Sequence, residues 1–157
     1  MKFSAQEEYG LRCLLQIARL PEGESMTIPQ ISEVEGLTPT HVAKLLMILR
    51  KDGFVTATRG QQGGYMLARP ASAIVVGDVL ASLGGRLFDD EFCNRHAGHN
   101  HICSHHVDCS VKSLWQVIQT AVDNVVNRMT VADLLGTKEP ASNVTLFAAP
   151  PRPARLS

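Results

Sequence analysis

Phe54-Val55-Thr56-Ala57-Thr58-Arg59-Gly60-Gln61-Gln62-Gly63-Gly64-Tyr65-Met66-Leu67-Ala68 is two short β-favouring runs about a glycine-rich turn. β-Branched and aromatic residues suit a pleated, half-buried surface, and glycines between two such runs mark a hairpin. Pro70 ends the second run. The stretch predicts strands over 54–58 and 65–68, with Arg59 at the tip. Gly60, Gly63 and Gly64 keep that tip thin enough to approach another molecule closely.

Two short helices are expected just upstream. Thr27-x-x-Gln30 is a capping box with Pro29 in the first turn, where its missing N–H costs nothing. Ile31 and Val34 give this helix its apolar side, and Gly36 stops it. Thr38 caps the next helix and Pro39 opens it; Val42, Leu45, Leu46, Ile48 and Leu49 form its core stripe, closed by Gly53. Such a pair reads as a helix-turn-helix or as a plain αα-hairpin. The hairpin that follows directly makes the order that of a winged helix. Ahead of the pair, the box Ser4-x-x-Glu7 starts a helix carrying Tyr9, Leu11, Leu14, Leu15, Ile17 and Ala18 at helical spacing, ended by Pro21 and Gly23.

Beyond the hairpin, Ser72 to Leu83 reads as a helix on Val76, Val79, Leu80 and Leu83, stopped by Gly84-Gly85. Asp89-Asp90-Glu91 then leads into a segment without period, read as a loop. Helical spacing returns after Cys109: Leu114, Trp115, Val117, Ile118, Ala121, Val122, Val125, Val126 and Met129 make a broad apolar face. Thr130-x-x-Asp133 caps a last short helix. The expected fold class is mostly α: a winged helix-turn-helix over 1–84, a Cys/His-rich loop over 85–110, and a long dimerisation helix with a short last helix over 111–136. A disordered tail over 137–157 holds four of the eight prolines.

The 157 residues suit one domain, and 45% apolar residues suit one core. No apolar run reaches the ~18–20 residues of a membrane span. The polar, acidic N-terminus does not read as a signal peptide. A cytoplasmic protein with reduced thiols is therefore expected. No nucleophile–base pattern, phosphate loop or nucleotide motif occurs, so neither an enzyme nor a small-molecule substrate is expected.

Fifteen basic residues balance fifteen acidic ones, which says nothing about where they lie. Lys44, Arg50, Lys51, Arg59 and Arg69 face a single acid, Asp52, between 44 and 69. Phosphate neutralisation needs only such a local patch, so double-stranded operator DNA is the expected partner. Thr38, Thr40 and His41 fall in the first turn of the reading helix, the end that meets base edges. Lys44, one turn on, reaches a phosphate. Arg59, Gln61 and Gln62 suit a minor groove, whose negative potential attracts arginine. Two-fold readers span half-sites ~34 Å apart, so a homodimer is expected, with Trp115, Ile118, Val122 and Val125 in its seam.

Eight potential metal ligands crowd 93–109: Cys93, Cys103 and Cys109 with His96, His99, His101, His105 and His106. Three clustered cysteines in a reducing compartment read as metal ligands before disulfides. Iron–sulfur clusters take thiolates; zinc takes four Cys or His. Both classes stay open on the residues alone, since no Cys-x2-Cys knuckle is present. Cys13, beside core positions of the first helix, reads as a buried structural thiol.

Together these pieces resemble the Rrf-two family of bacterial winged-helix regulators, of the IscR/NsrR type. The resemblance rests on Met1-Lys2-Phe3-Ser4, Glu8-Tyr9-Gly10-Leu11-Arg12, Ile28-Pro29-Gln30-Ile31-Ser32-Glu33 and Leu45 to Gly53. It continues through Arg59 to Leu67, Ile74-Val75-Val76-Gly77-Asp78-Val79, the three cysteines, Leu114-Trp115 and Thr130-Val131-Ala132-Asp133-Leu134. It covers about 1–136 and implies a homodimeric transcription factor whose operator affinity follows a 2Fe–2S or 4Fe–4S cluster sensing iron, redox state or nitric oxide. Cys93, Cys103 and Cys109 fall on the cluster positions. The nine-residue first gap is longer than the family's usual one. In some members a histidine three residues after the last cysteine is the fourth ligand; here that residue is Lys112. In others an acid of the first helix, from the partner subunit, ligates, and Glu8 occupies that place. A loop histidine is the alternative fourth ligand. A zinc- or other metal-responsive regulator using the same loop is the alternative function.

Overall fold

A computed structural model describes residues 3–60, 63–89, 91–95 and 109–136. Helix α1 spans Ala5–Ala18 and is closed by a reciprocal box. The Ser4 hydroxyl accepts from the Glu7 N–H at 3.2 Å, and the Glu7 carboxylate accepts from the Ser4 N–H at 2.7 Å. Its inward face is Gly10, Cys13, Leu14 and Ile17. Gly10 has a packing reason: a Cβ there would lie 2.4 Å from Leu83 Cδ2.

The helix pair forms as the caps dictate. Helix α2 is Ile28–Glu35, with the Thr27–Gln30 box and a left-handed Gly36 at φ 65°. Helix α3 is Pro39–Lys51, capped by Thr38, and buries Val42, Leu45, Leu46 and Leu49. Strands β1 (Val55–Ala57) and β2 (Tyr65–Leu67) pair antiparallel in the register Val55↔Leu67, Thr56↔Met66, Ala57↔Tyr65. Met26 bridges the other edge of β2 by exchanging both backbone bonds with Tyr65, at 2.9 and 2.8 Å. Gly64 permits this approach, since a Cβ on it would sit 2.7 Å from the Met26 carbonyl oxygen.

After the hairpin the chain departs from expectation. No helix starts at Ser72; a 3-10 turn covers Ala71–Ala73, and α4 begins at Val76 and runs to Gly84. The cause is a long-range bridge. The Val76 N–H donates to the Met129 carbonyl and the Val131 N–H to the Ile74 carbonyl, both at 2.9 Å. These bonds hold 74–75 extended. A second departure is α5, Phe92–Arg95, a single turn within the segment read as loop. Phe92 is anchored there by Phe88 and Trp115, with ring centroids 5.2 and 6.4 Å away. Helix α6 is Ser110–Val126 and α7 is Val131–Gly136, with Thr130 and Asp133 capping reciprocally. Those bonds from the Thr130 N–H and hydroxyl hold the Asp133 carboxyl below its usual range.

One core joins Leu14, Ile17, Ile31, Val42, Leu46, Leu49, Phe54, Ile74, Val79 and Leu83 with Val131 of α7. The last short helix, grouped above with α6, thus returns to the reading head. Helix α6 itself stays peripheral. It docks through Gln119, whose Oε1 accepts the Phe88 N–H at 2.9 Å and whose Nε2 donates to Asp123 at 2.7 Å. Gln119 is its one buried side chain. No helix among the described residues is long and apolar enough to cross a membrane.

Candidate nucleic-acid interface and metal-binding segment

Helix α3 has two opposed faces. At ~100° per residue, Thr40, Lys44, Met47 and Lys51 fall within roughly 60° of one another, opposite the buried Val42–Leu46–Leu49 stripe. All four are exposed. Thr38 is exposed too, but its hydroxyl accepts the His41 N–H at 3.3 Å, so the cap role is filled. His41 is turned aside from Thr40 and Lys44. Its ring is half-buried and meets Tyr9 of α1 edge-on, with centroids 5.6 Å apart.

That contact belongs to a polar network tying α1, α2 and α3. The Arg12 guanidinium lies 5.5 Å over the Tyr9 ring and donates through Nε to Glu35 at 2.6 Å. Gln16 donates to the other Glu35 oxygen at 2.6 Å, and Arg12 also reaches the Glu35 carbonyl at 3.3 Å. The Glu35 side chain is only 5% exposed, and these donors satisfy its carboxylate oxygens. Beside it, burial first and then the Glu35 carboxylate push the Cys13 thiol up to about 11. Cys13 is fully buried and stays protonated, as expected for a structural thiol.

The wing is closed by its own backbone. The Thr58 N–H donates to the Gly64 carbonyl at 2.8 Å, Gly64 N–H donates to the Thr58 hydroxyl at 2.9 Å, and Gly63 N–H donates to Gly60 O at 3.0 Å. Gly60, at φ 129°, adopts a conformation that side chains disfavour. Arg59 is exposed beside that turn. Arg69 is held at the wing's base, 5.3 Å over the Phe54 ring. Gln61 and Gln62 lie outside the described residues.

The segment expected to bind metal is described at its edges. Cys109 is the N-cap of α6, and its sulfur accepts the Lys112 N–H at 3.3 Å. The backbone of Cys93 belongs to α5. The Cys93 side chain, Cys103 and the five loop histidines lie outside the described residues. Glu8 is exposed in the first turn of α1. Among the described residues, no three His, Cys, Asp or Glu side chains gather as a metal site.

The face expected to pair with a second copy is split. Val111, Leu114 and Val117 are 56%, 52% and 66% exposed, and Trp115 37%. Ile118 lines a cleft with Leu87, Phe88 and Phe92. Val122 lines another, of about 310 Å³, between α4 and α6. Ile118, Val122 and Val125 are half-buried. Met47, exposed on the same stripe as Thr40 and Lys44, is a residue that the sequence reading did not single out. Its place opposite the core stripe was legible from the helical period alone.

Comparison with known proteins now adds a lineage. Residues 3–137 match the family model described as Rrf2, iron-dependent transcriptional regulator. The chain is similar in structure to CymR (YrzC), the global cysteine regulator of B. subtilis, at TM-score 0.70 and 26% identity, over 86% of this chain and 96% of that one. It is similar to T. potens IscR at TM-score 0.67 and 29% identity, over 86% of each chain. The oxidised form of Staphylococcus aureus CymR matches at TM-score 0.69 and 25% identity, over 89% of this chain and all of that one.

Proposed function

We propose that this chain, which belongs to the Rrf2 family, is a homodimeric regulator whose operator affinity is set by an iron–sulfur cluster. Membership makes it a DNA-binding transcriptional regulator, not an enzyme. Operator DNA places its work in the cytoplasm.

The donor set carries the metal reading. Cys93, Cys103 and Cys109 are three thiols within 17 residues. The last sits at a helix N-terminus with a backbone N–H on its sulfur. A ligating sulfur is anionic, and unpaired N–H groups at that end favour negative charge. Glu8 of the partner subunit is the fourth ligand in this reading; a carboxylate holds soft metals more weakly than thiolate does. When bound, the cluster supplies iron–thiolate bonds that oxidants, nitric oxide or iron shortage can break.

The chain's own residues link the two halves. Glu8 is adjacent to Tyr9, and Tyr9 meets His41 on α3 while Arg12 ties α1 to α2. Whatever fixes Glu8 therefore bears on the reading helix, which is the shared element that coupling requires. In the DNA complex Thr38 and Thr40 lie toward base edges and Lys44 on a phosphate, while the His41 ring stays against Tyr9. Arg59, with Gln61 and Gln62, enters the minor groove. Arg59→Ala is expected to weaken operator binding by ~1–3 kcal/mol, the size of one good contact. A gel-shift titration at fixed salt checks this, and unchanged binding removes the wing from the mechanism.

The likeness to CymR favours a second reading, in which the thiols respond to a cysteine-linked signal without a cluster. Zinc, with histidine ligands from the loop, is the third. Anaerobic purification followed by visible spectroscopy and elemental analysis separates them. Visible iron–thiolate absorption with bound iron and sulfide is the expected result. Colourless protein with stoichiometric zinc establishes the zinc reading. Colourless, metal-free protein whose DNA binding is lost on thiol oxidation establishes the second.

A further inference from the structure

Met47 on α3 and Val34 on α2 stand apart from the other exposed large apolar residues. Val111, Leu114, Trp115 and Val117 share α6, Leu87 lies near them, and Phe3 borders the cleft between α4 and α6. A second copy on α6 accounts for that group. Met47 is on the outer stripe of α3, 64% exposed, between Lys44 and Lys51. A large apolar side chain amid cations on a reading helix is paid for in exposed surface unless something covers it.

From this placement we propose that Met47 is a specificity-determining residue, which reads the C5-methyl group of a thymine in the major groove. The thymine methyl is the one apolar feature a base pair displays there. The neighbouring charges fix the class of partner: Lys44 and Lys51 lie on the stripe before and after Met47 and Arg50 lies beside it, all suited to phosphates, with only Asp52 opposed. Thr40, about two turns earlier on the same stripe, has a hydroxyl for another base edge. Methionine suits the task, because its unbranched, polarisable thioether adapts to a methyl group's position. Lys44 would anchor the helix without regard to sequence, while Met47 would favour thymine over cytosine at one position of each half-site. The inference rests on the DNA reading proposed above.

The test uses the full-length protein, purified anaerobically and assayed both as isolated and after chelation of its metal. A duplex is first selected by this protein from a random-sequence pool. Each thymine is then replaced in turn by deoxyuridine, which deletes the methyl group alone. At fixed salt, one such replacement per half-site is expected to weaken wild-type binding about threefold to tenfold, as the loss of one buried methyl requires. Met47→Ala should be weaker on the thymine duplex by a similar factor and indifferent to that replacement. Met47→Gln, of similar length but polar, should behave like the alanine variant. The proposal is overturned if Met47→Ala binds the thymine duplex as wild type does, or if every replacement weakens both proteins equally. A pool that yields no bound duplex in either state overturns the DNA reading as well.

Discussion

Cys109→Ser protein, purified without oxygen, is expected to be colourless and to carry less than a tenth of the iron of wild type. Its helical content should be unchanged. Two roles of Cys109 make this variant informative. Its sulfur is the N-cap of α6, accepting the Lys112 N–H, and in the proposed function it is a metal ligand. Serine is among the preferred cap residues, worth about 1 kcal/mol over alanine, so it retains the first role. A hydroxyl is a poor substitute for thiolate on iron, so it loses the second. Cys109→Ala should also be colourless but slightly less stable, and the difference between the two isolates the cap. Glu8→Ala should differ from both. It should keep the visible spectrum at purification and lose it faster under oxidants, because a partner-supplied carboxylate is one ligand in four. Iron-loaded, coloured Cys109→Ser protein would remove Cys109 from the ligand set. A Glu8→Ala spectrum and decay rate identical to wild type would leave a loop histidine as the fourth ligand.

The parts of this molecule that were legible in the sequence share a local cause. The boxes Ser4–Glu7, Thr27–Gln30 and Thr130–Asp133 are satisfied within four residues, and each forms where its residue types stand. The core stripes of α1 and α3 follow helical period in the same way. What escaped the sequence depends on residues far apart. The start of α4 is delayed to Val76 because Ile74 and Val76 exchange bonds with Val131 and Met129. No local pattern signals a bridge across more than fifty positions. Helix α5 is one turn long and owes its place to Phe88 and Trp115, so it carries no period to detect. At the site, His41 reads from sequence as a base-facing residue of the first turn, yet Tyr9 holds its ring against α1. Its direction is set by a contact between helices, whereas those of Thr40, Lys44 and Met47 are set by the helix alone.

The largest effect on DNA binding is expected from α6 rather than from any residue near DNA. Leu114→Glu combined with Val117→Glu should leave a folded monomer of 17.1 kDa in sedimentation. Both side chains are more than half exposed, so the charges are solvated in the monomer and the fold is spared. In a homodimer through this face, the same four charges would be brought together in an apolar seam, where an unpaired carboxylate is too costly to bury. Trp115 would join the same seam through its exposed part. Ile118 and Val122 line clefts within the chain, so their substitution would mix local damage with loss of the dimer. The consequence for DNA follows from effective concentration. A dimer that has seated one reading head holds the second near its half-site at about millimolar concentration, and linked binding exceeds single binding by ~10²–10⁴. Losing the partner should cost the operator complex at least a hundredfold in affinity. Single-half-site affinity should change little, because the outer stripe of α3 and the wing are untouched. A double variant that remains a dimer would place the seam elsewhere; one that becomes a monomer yet binds the full operator as tightly as wild type would show that the two heads do not act together.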